Sequence, residues 1–251
     1  DSGLDRLWQV MDDCIERGRP LLAGGVRYLG GTCEAFGAST VSDSLVAIRR
    51  AVYEEKIIAP DELLQVLESD FEGREDLRKR LLAYPKFGND DAEADEMNLW
   101  FNGMLCESCR AHGRRVGLDS FLIVLINNGD SVMFGKATSA TPDGRRAGRP
   151  VANGNQPGAG YDQSGLTGLL NSMGKLDASL HAGVVHNVKL SRGTFRDDRA
   201  KVSGMLRAYF ASGGTQAMIT VTDRGELERA MERPGDYANL VVRVGGYSER
   251  F

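Results

Sequence analysis

The sequence has no run of 18 apolar residues, so no membrane-spanning helix is expected. It holds only four cysteines in 251 residues, too few and too scattered for a disulfide framework. A reducing, cytoplasmic setting is therefore expected. No excess of positive charge exists: the formal net charge is -4 and the isoelectric point is near 5.5. That balance argues against nucleic-acid or membrane-surface partners. The nearest thing to a basic cluster, Arg145, Arg146 and Arg149, sits among proline and glycine and reads as a turn. No secretory leader is visible. The three histidines, His112, His181 and His186, are too dispersed to name a general base.

Standard chemical motifs are missing as well. Around "GLLNSMGKL", Gly168 and Gly174 are one residue too far apart for a phosphate loop, and Leu176 stands where that loop needs Ser or Thr. "GNQPGAG" does not have dinucleotide-binding spacing, and no G-x-S-x-G is present. Cys106, Cys109 and His112 form C-x-x-C-x-x-H, but a fourth ligand is absent. The apolar positions around them recur at helical intervals, which predicts a plain helix face. Cys14 is expected in a core. Asp90 and Asp91 are adjacent and read as a helix start. No metal-ligating or cofactor-binding residue is expected.

What is abundant is glycine, 31 residues, against globular proportions of 41% hydrophobic and 26% charged residues. Periodicity predicts helices over about 5–17, 42–54 (with Ser42 to Ser44 as polar caps), 59–71, 73–84, 96–113, 164–170, 198–212 and 224–233. Strands are predicted over 120–126, 184–190, 215–222 and 240–244. A Gly- and Pro-rich segment, 127–163, is long enough to suggest a functional loop. Strands separated by helices indicate an α/β layer or barrel. The chain begins on Asp1 with no methionine and stops soon after two glycines, so it is expected to be a piece of something longer.

Four stretches, in order, resemble one family. The ending "RVGGYSERF" is similar to the C-terminal signature of glycyl radical enzymes. "TPDGRRAGRPVANGNQPGAGYDQSGLTGLLNSMGKLD", Thr141 to Asp177, resembles the segment preceding that signature. "YPKFGNDD" from Tyr84 and "SDSLVAIRRAVYEE" from Ser42 resemble elements further upstream.

The resemblance implies the C-terminal part of a ten-stranded α/β barrel. Residues 1–144 would belong to a pyruvate formate-lyase-like domain and 145–251 to a glycine radical domain. It implies Gly246, directly before Tyr247, as the catalytic residue that stores a radical, with Gly245 a tolerated neighbour. A hydrogen atom removed from a glycine Cα leaves a planar radical stabilised by the flanking amides, which a side chain would crowd. The implied cofactor is that post-translational glycyl radical alone, installed by a radical S-adenosylmethionine activase. The radical then passes to a cysteine that abstracts hydrogen from a small organic substrate. That cysteine is expected upstream of Asp1, because Cys33 in "GGTCEAFG" does not fit the family's G-C-x-E loop. Lyase or dehydratase chemistry is implied, with a homodimer when full length. The alternatives are a formate acetyltransferase, a stand-alone radical-carrying subunit or repair module that works with a separate cysteine-bearing chain, or a decayed homologue. "TQAMITV" departs from the family's frequent H-x-Q-x-N-V sequence.

Overall fold

The computed structural model describes residues 11–126, 129–221, 224–237, 241–244 and 247–250, the side chains of 224 and 241–250 excepted. The described residues form two small parallel sheets and one antiparallel strand pair. The first sheet has the order β1 (Gly30–Glu34), β2 (Ser120–Leu125), β3 (Gly183–Val184), all parallel. The second pairs β4 (Asn187–Leu190) with β5 (Met218–Val221), also parallel. Parallel strands need long crossovers, and helices supply them. Those helices are α1 (Ala38–Ile48), α2 (Pro60–Glu68), α3 (Glu75–Leu82), α4 (Ala92–Arg115), α5 (Asp130–Ala137), α6 (Gly165–Gly174), α7 (Arg192–Asp197), α8 (Arg199–Ala211) and α9 (Arg224–Glu232).

Apolar spacing explains the packing. On α2, Leu63 and Val66 face inward; on α3, Leu77 and Leu81 do so. These i,i+3 and i,i+4 pairs meet Ala47, Ala51, Phe71 and Tyr84 in one core. Pro60 opens α2, where its missing N–H costs nothing. Alternation places Val188 and Leu190 of β4 against Val202 and Tyr209 of α8 and Leu169, Leu170 and Met173 of α6. A third core joins Ile123 and Leu125 of β2 to Cys106 and Cys109 of α4. Fully burying each such side chain is worth about 1.5–3 kcal/mol. Gly113 lets α4 descend onto β2: a Cβ there would fall 2.4 Å from Phe121 Cβ.

Several boundaries differ from the sequence expectation. Only Cys14–Arg17 of the first expected helix is helical among described residues, and Asp13 before it has φ 72°. Helix α1 begins at Gly37 (φ 73°), not at the serines. Ser42 Oγ donates to Ser39 O and Ser44 Oγ to Thr40 O, so both lie inside the helix and bond back to its own carbonyls. The helix then widens into a π turn over Arg49–Glu54. The single strand expected over 184–190 is two strands in different sheets: Val185 N donates to Leu125 O, whereas His186 O accepts from Met218 N. The long loop contains α5, and α7 precedes the expected helix α8.

Candidate functional site

The last strands are β6 (Val241–Val244) and β7 (Tyr247–Arg250), which pair antiparallel with Val244 opposite Tyr247. Gly245 and Gly246 stand between these strands in the sequence and lie outside the described residues.

The segment before α6 is tied to the first half of the chain by a few side chains. Asn89 uses both ends of its amide: Nδ2 donates to Lys86 O (3.0 Å) and Tyr161 O (2.7 Å), and Oδ1 accepts from Gln163 N (2.7 Å) and Ser164 N (2.9 Å). Asp90 accepts from Asn171 Nδ2 at 2.8 Å and from Lys175 Nζ at 2.7 Å, while its own N–H donates to Ser172 Oγ. The same ammonium reaches Asp95 Oδ2 at 2.6 Å. Helix α4 is capped by Asp91, whose carboxylate accepts from Glu93 N and Ala94 N. Thus in "FGNDD" two consecutive residues, Asn89 and Asp90, clasp α6 and its preceding turn, and the next, Asp91, caps α4.

Beneath that clasp lies a polar seam. Ser42 Oγ accepts from Asn98 Nδ2, and Asn102 Nδ2 donates to Asn98 Oδ1 and weakly, at 3.4 Å, to Asn155 Oδ1. Asp43 is buried beside it; Oδ1 accepts from Phe87 N at 2.8 Å and Oδ2 has no partner. Burial pushes the Asp43 carboxyl up to about 8, against the Phe87 N–H and the Lys86 ammonium, with Asp143 and Asp95 adding repulsion. Burial also holds Lys86 below the usual lysine range, and its Nζ donates to Leu81 O and Tyr84 O. Such a buried acid is neutral or charged according to its surroundings and so reports on how closely the loop packs.

Loop 138–149 is closed by Arg145. Its guanidinium donates to Thr138, Ser139, Arg146 and Arg149 carbonyls and to Thr141 Oγ1. Between the two sheets, the Gln156 side-chain amide accepts from Asn187 N (3.0 Å) and donates to Asn187 O (3.3 Å), bridging the free edge of β4.

The cysteines fall on the helix side. In β1–β2 register, Cys33 is opposite Ile123, and Ile123 packs on α4. Strand alternation puts Cys33 on that same face, away from the face carrying Thr32, Glu34, Leu122 and Val124. Cys106 and Cys109 are buried on α4, and His112 is exposed. Cys106 Sγ lies 3.4 Å from His181 Nε2, whose Nδ1 is 3.0 Å from Asp177 O. Burial pushes the Cys106 thiol up, which leaves it protonated and unreactive. His186 is buried at the mouth of β4; its Nδ1 bonds Tyr209 Oη, and burial pushes it down to about 4. Among the described residues no group of three His, Cys, Asp or Glu side chains could hold a metal ion, and no helix is long and apolar enough to cross a membrane.

Sequence comparison decides what this frame carries. Residues 7–130 match the Pyruvate formate lyase-like family and residues 151–251 match the Glycine radical family. The chain belongs to the glycyl radical enzyme family. It matches a C-terminal portion of those enzymes. It is 31% identical to trans-4-hydroxy-L-proline dehydratase of Clostridioides difficile, over 96% of this chain and 31% of that protein. It is 34% identical to Probable dehydratase YbiW of Escherichia coli, over 96% of this chain and 31% of that protein. The glycerol-bound B12-independent glycerol dehydratase from Clostridium butyricum superposes with a TM-score of 0.87 at 35% identity, covering 95% of this chain and 31% of that one. The chain thus spans about a third of the length of the relatives it matches. The mixed α/β arrangement is that of a partial glycyl radical enzyme barrel.

Sequence reasoning found the family elements but not the work of their residues. It missed Asn89, Asp90 and Lys175 as a clasp and Asp43 as a buried acid. The one available signal for Asp43 was a carboxylate between two serines on a helix with a strong apolar face.

Proposed function

We propose that this chain is the radical-carrying part of a glycyl radical enzyme of the dehydratase and lyase type. Gly246 stores the radical, and a cysteine relays it to a small organic substrate. The observation that carries the reading is the match of 151–251 to the Glycine radical family, ending in "RVGGY". The pairing of β6 with β7 on either side of the two glycines supports it. In the activating step a radical S-adenosylmethionine activase takes one hydrogen atom from the Gly246 Cα, leaving the unpaired electron on that carbon. The stored radical next takes the S–H hydrogen of a cysteine, restoring glycine and forming a thiyl radical. The thiyl then takes a hydrogen atom from a substrate carbon, and C–O, C–N or C–C cleavage follows. None of the four cysteines suits the relay. Cys14, Cys106 and Cys109 are buried; Cys33 is exposed, but it sits in "GGTCEAFG", which does not fit the family's G-C-x-E loop. The relay cysteine therefore belongs to another part of the protein or to a separate chain.

The domain division proposed is 1–144 and 145–251, with Arg145 at the start of the second unit. The working enzyme is proposed to be a cytoplasmic homodimer.

Anaerobic activation of the full-length protein tests the reading. One hydrogen remains on the Cα, so its coupling should split the EPR signal into a doublet near the free-electron position. Deuterium at that carbon should collapse the doublet. Gly246→Ala should abolish signal and turnover together, because a methyl group crowds the planar radical and restricts the backbone. A doublet that survives Gly246→Ala but not Gly245→Ala moves the radical by one residue. No organic radical in the activated parent overturns the proposal.

A further inference from the structure

A cleft of about 410 Å³ opens between α1, α3 and the loop around residues 143–161. Its walls carry four arginines, Arg78, Arg145, Arg146 and Arg149, and a single acid, Asp143. These charges are not equally spent. Arg78 is paired with Glu75, and Arg146 with Glu75 and Asp70, outside the cleft. The Asp143 carboxylate is turned inward and occupied by Thr141 Oγ1 and Arg145 N–H. Arg145 gives its guanidinium entirely to carbonyls and a hydroxyl, with no carboxylate partner among the described residues. Arg149 stands exposed at the rim; its backbone groups bond, and its guanidinium has no partner among the described residues. Arg149 therefore brings a charge with no partner among the described residues to a concave surface, while the charge of Arg145 is offset in part by the nearby Asp143 carboxylate.

Arg145 and Arg149 against the single acid Asp143 leave this wall net positive, and a cleft with protein walls concentrates that field. Arg145 is fixed and cannot move to meet a ligand; Arg149 is free to do so and offers a planar fork matched to phosphate oxygens. We propose that this cleft is a binding site for a small phosphate-bearing anion, with Arg145 supplying fixed potential and Arg149 the direct contact. The chain's overall charge is negative, -4, so the positive field here is local. The volume exceeds what a bare phosphate ion fills, which favours an ester over the free ion.

Titration calorimetry on the full-length protein tests this, with inorganic phosphate and glycerol 3-phosphate as probes and chloride at matched ionic strength as the control. Saturable binding of at least one probe is expected, tighter for the ester if the occupant fills the cleft. Arg149→Ala, at an exposed position, should weaken it about tenfold, the loss of one charge-assisted hydrogen bond. Ala159→Glu, also exposed and on the cleft wall, should abolish it while leaving the melting temperature in chloride unchanged. Arg207→Ala, an exposed arginine on α8, should bind as the parent does. No binding above the chloride control, or equal binding by parent and Arg149→Ala, overturns the site.

Discussion

Lys175 Nζ lies 2.6 Å from Asp95 Oδ2, and the Asp95 side chain is only 2% exposed. The ammonium reaches it from α6 across the chain's two family-matched regions, and Asp90 holds it from the other side at 2.7 Å. A buried carboxylate depends on its partner far more than the partner depends on it. Lys175→Met should therefore destabilise the chain by about 2–4 kcal/mol, toward the lower end because the lysine is partly exposed. Adding Asp95→Asn should recover much of the loss. Chemical denaturation of both variants checks this; an unchanged midpoint in Lys175→Met would show that the pair contributes nothing.

Asp43 and His186 give opposite pH slopes. Asp43 rises on folding from its ordinary 3.8 to about 8, so the folded chain binds the extra proton and stability falls as pH climbs through that range. His186 drops from 6.5 to about 4, so the unfolded chain binds the extra proton there and stability rises with pH. Between about pH 4 and 6.5 the two cancel. Above 6.5 the His186 contribution is complete and the Asp43 loss continues toward 8, opposed by whatever Lys86 contributes. Lys86, depressed by burial, works in the opposite sense over the range below its ordinary 10.5. Asp43→Asn keeps the acceptor for Phe87 N–H and should flatten the 6.5-to-8 decline. Denaturant midpoints at the two pH values measure it.

Tyr209 Oη bridges two backbone and side-chain partners, accepting from His186 Nδ1 and donating to Gln216 O at 3.0 Å. Tyr209→Phe should cost about 1–3 kcal/mol by stranding a buried donor and acceptor. Gly214→Ala should be comparably harmful, because its Cβ would fall 2.3 Å from the tyrosine ring. Thermal melts of the two variants, and of the double variant for non-additivity, test the contact.

Cys33→Ser in the full-length enzyme should leave turnover within a few-fold of the parent, because Cys33, though exposed, does not sit in a G-C-x-E loop. A loss of about 10³-fold or more, the scale of a removed catalytic group, would make Cys33 the relay after all.

Strand β1 pairs with β2 on one side and with no described strand on the other, and most of it is exposed. Tyr28 just before β1 and Trp100 on α4 are also exposed. The chain expressed alone should therefore self-associate through this edge and show no turnover. Light scattering and an activity assay after activation decide it; a well-behaved monomer with a cooperative melt would show a complete, self-sufficient domain.

Much of this was readable in the sequence because it is local. The i,i+4 leucines of α3, the alternation of β4 and β5 and the four ordered family stretches required no knowledge of distant contacts. The family match and the position of Gly246 before Tyr247 belong to the same category. Only tertiary structure decided which side of β1 Cys33 takes, since both faces of an isolated strand are equivalent until one is covered by α4. It also split 184–190 between two sheets, because Val185 and His186 find different partners. Burial made Asp43 an acid near neutrality, and the carbonyls of loop 138–149 drew Arg145 into its interior. Charge and titration depend on what surrounds a group in space, and for these residues the neighbours lie as far as Phe87 is from Asp43 along the chain.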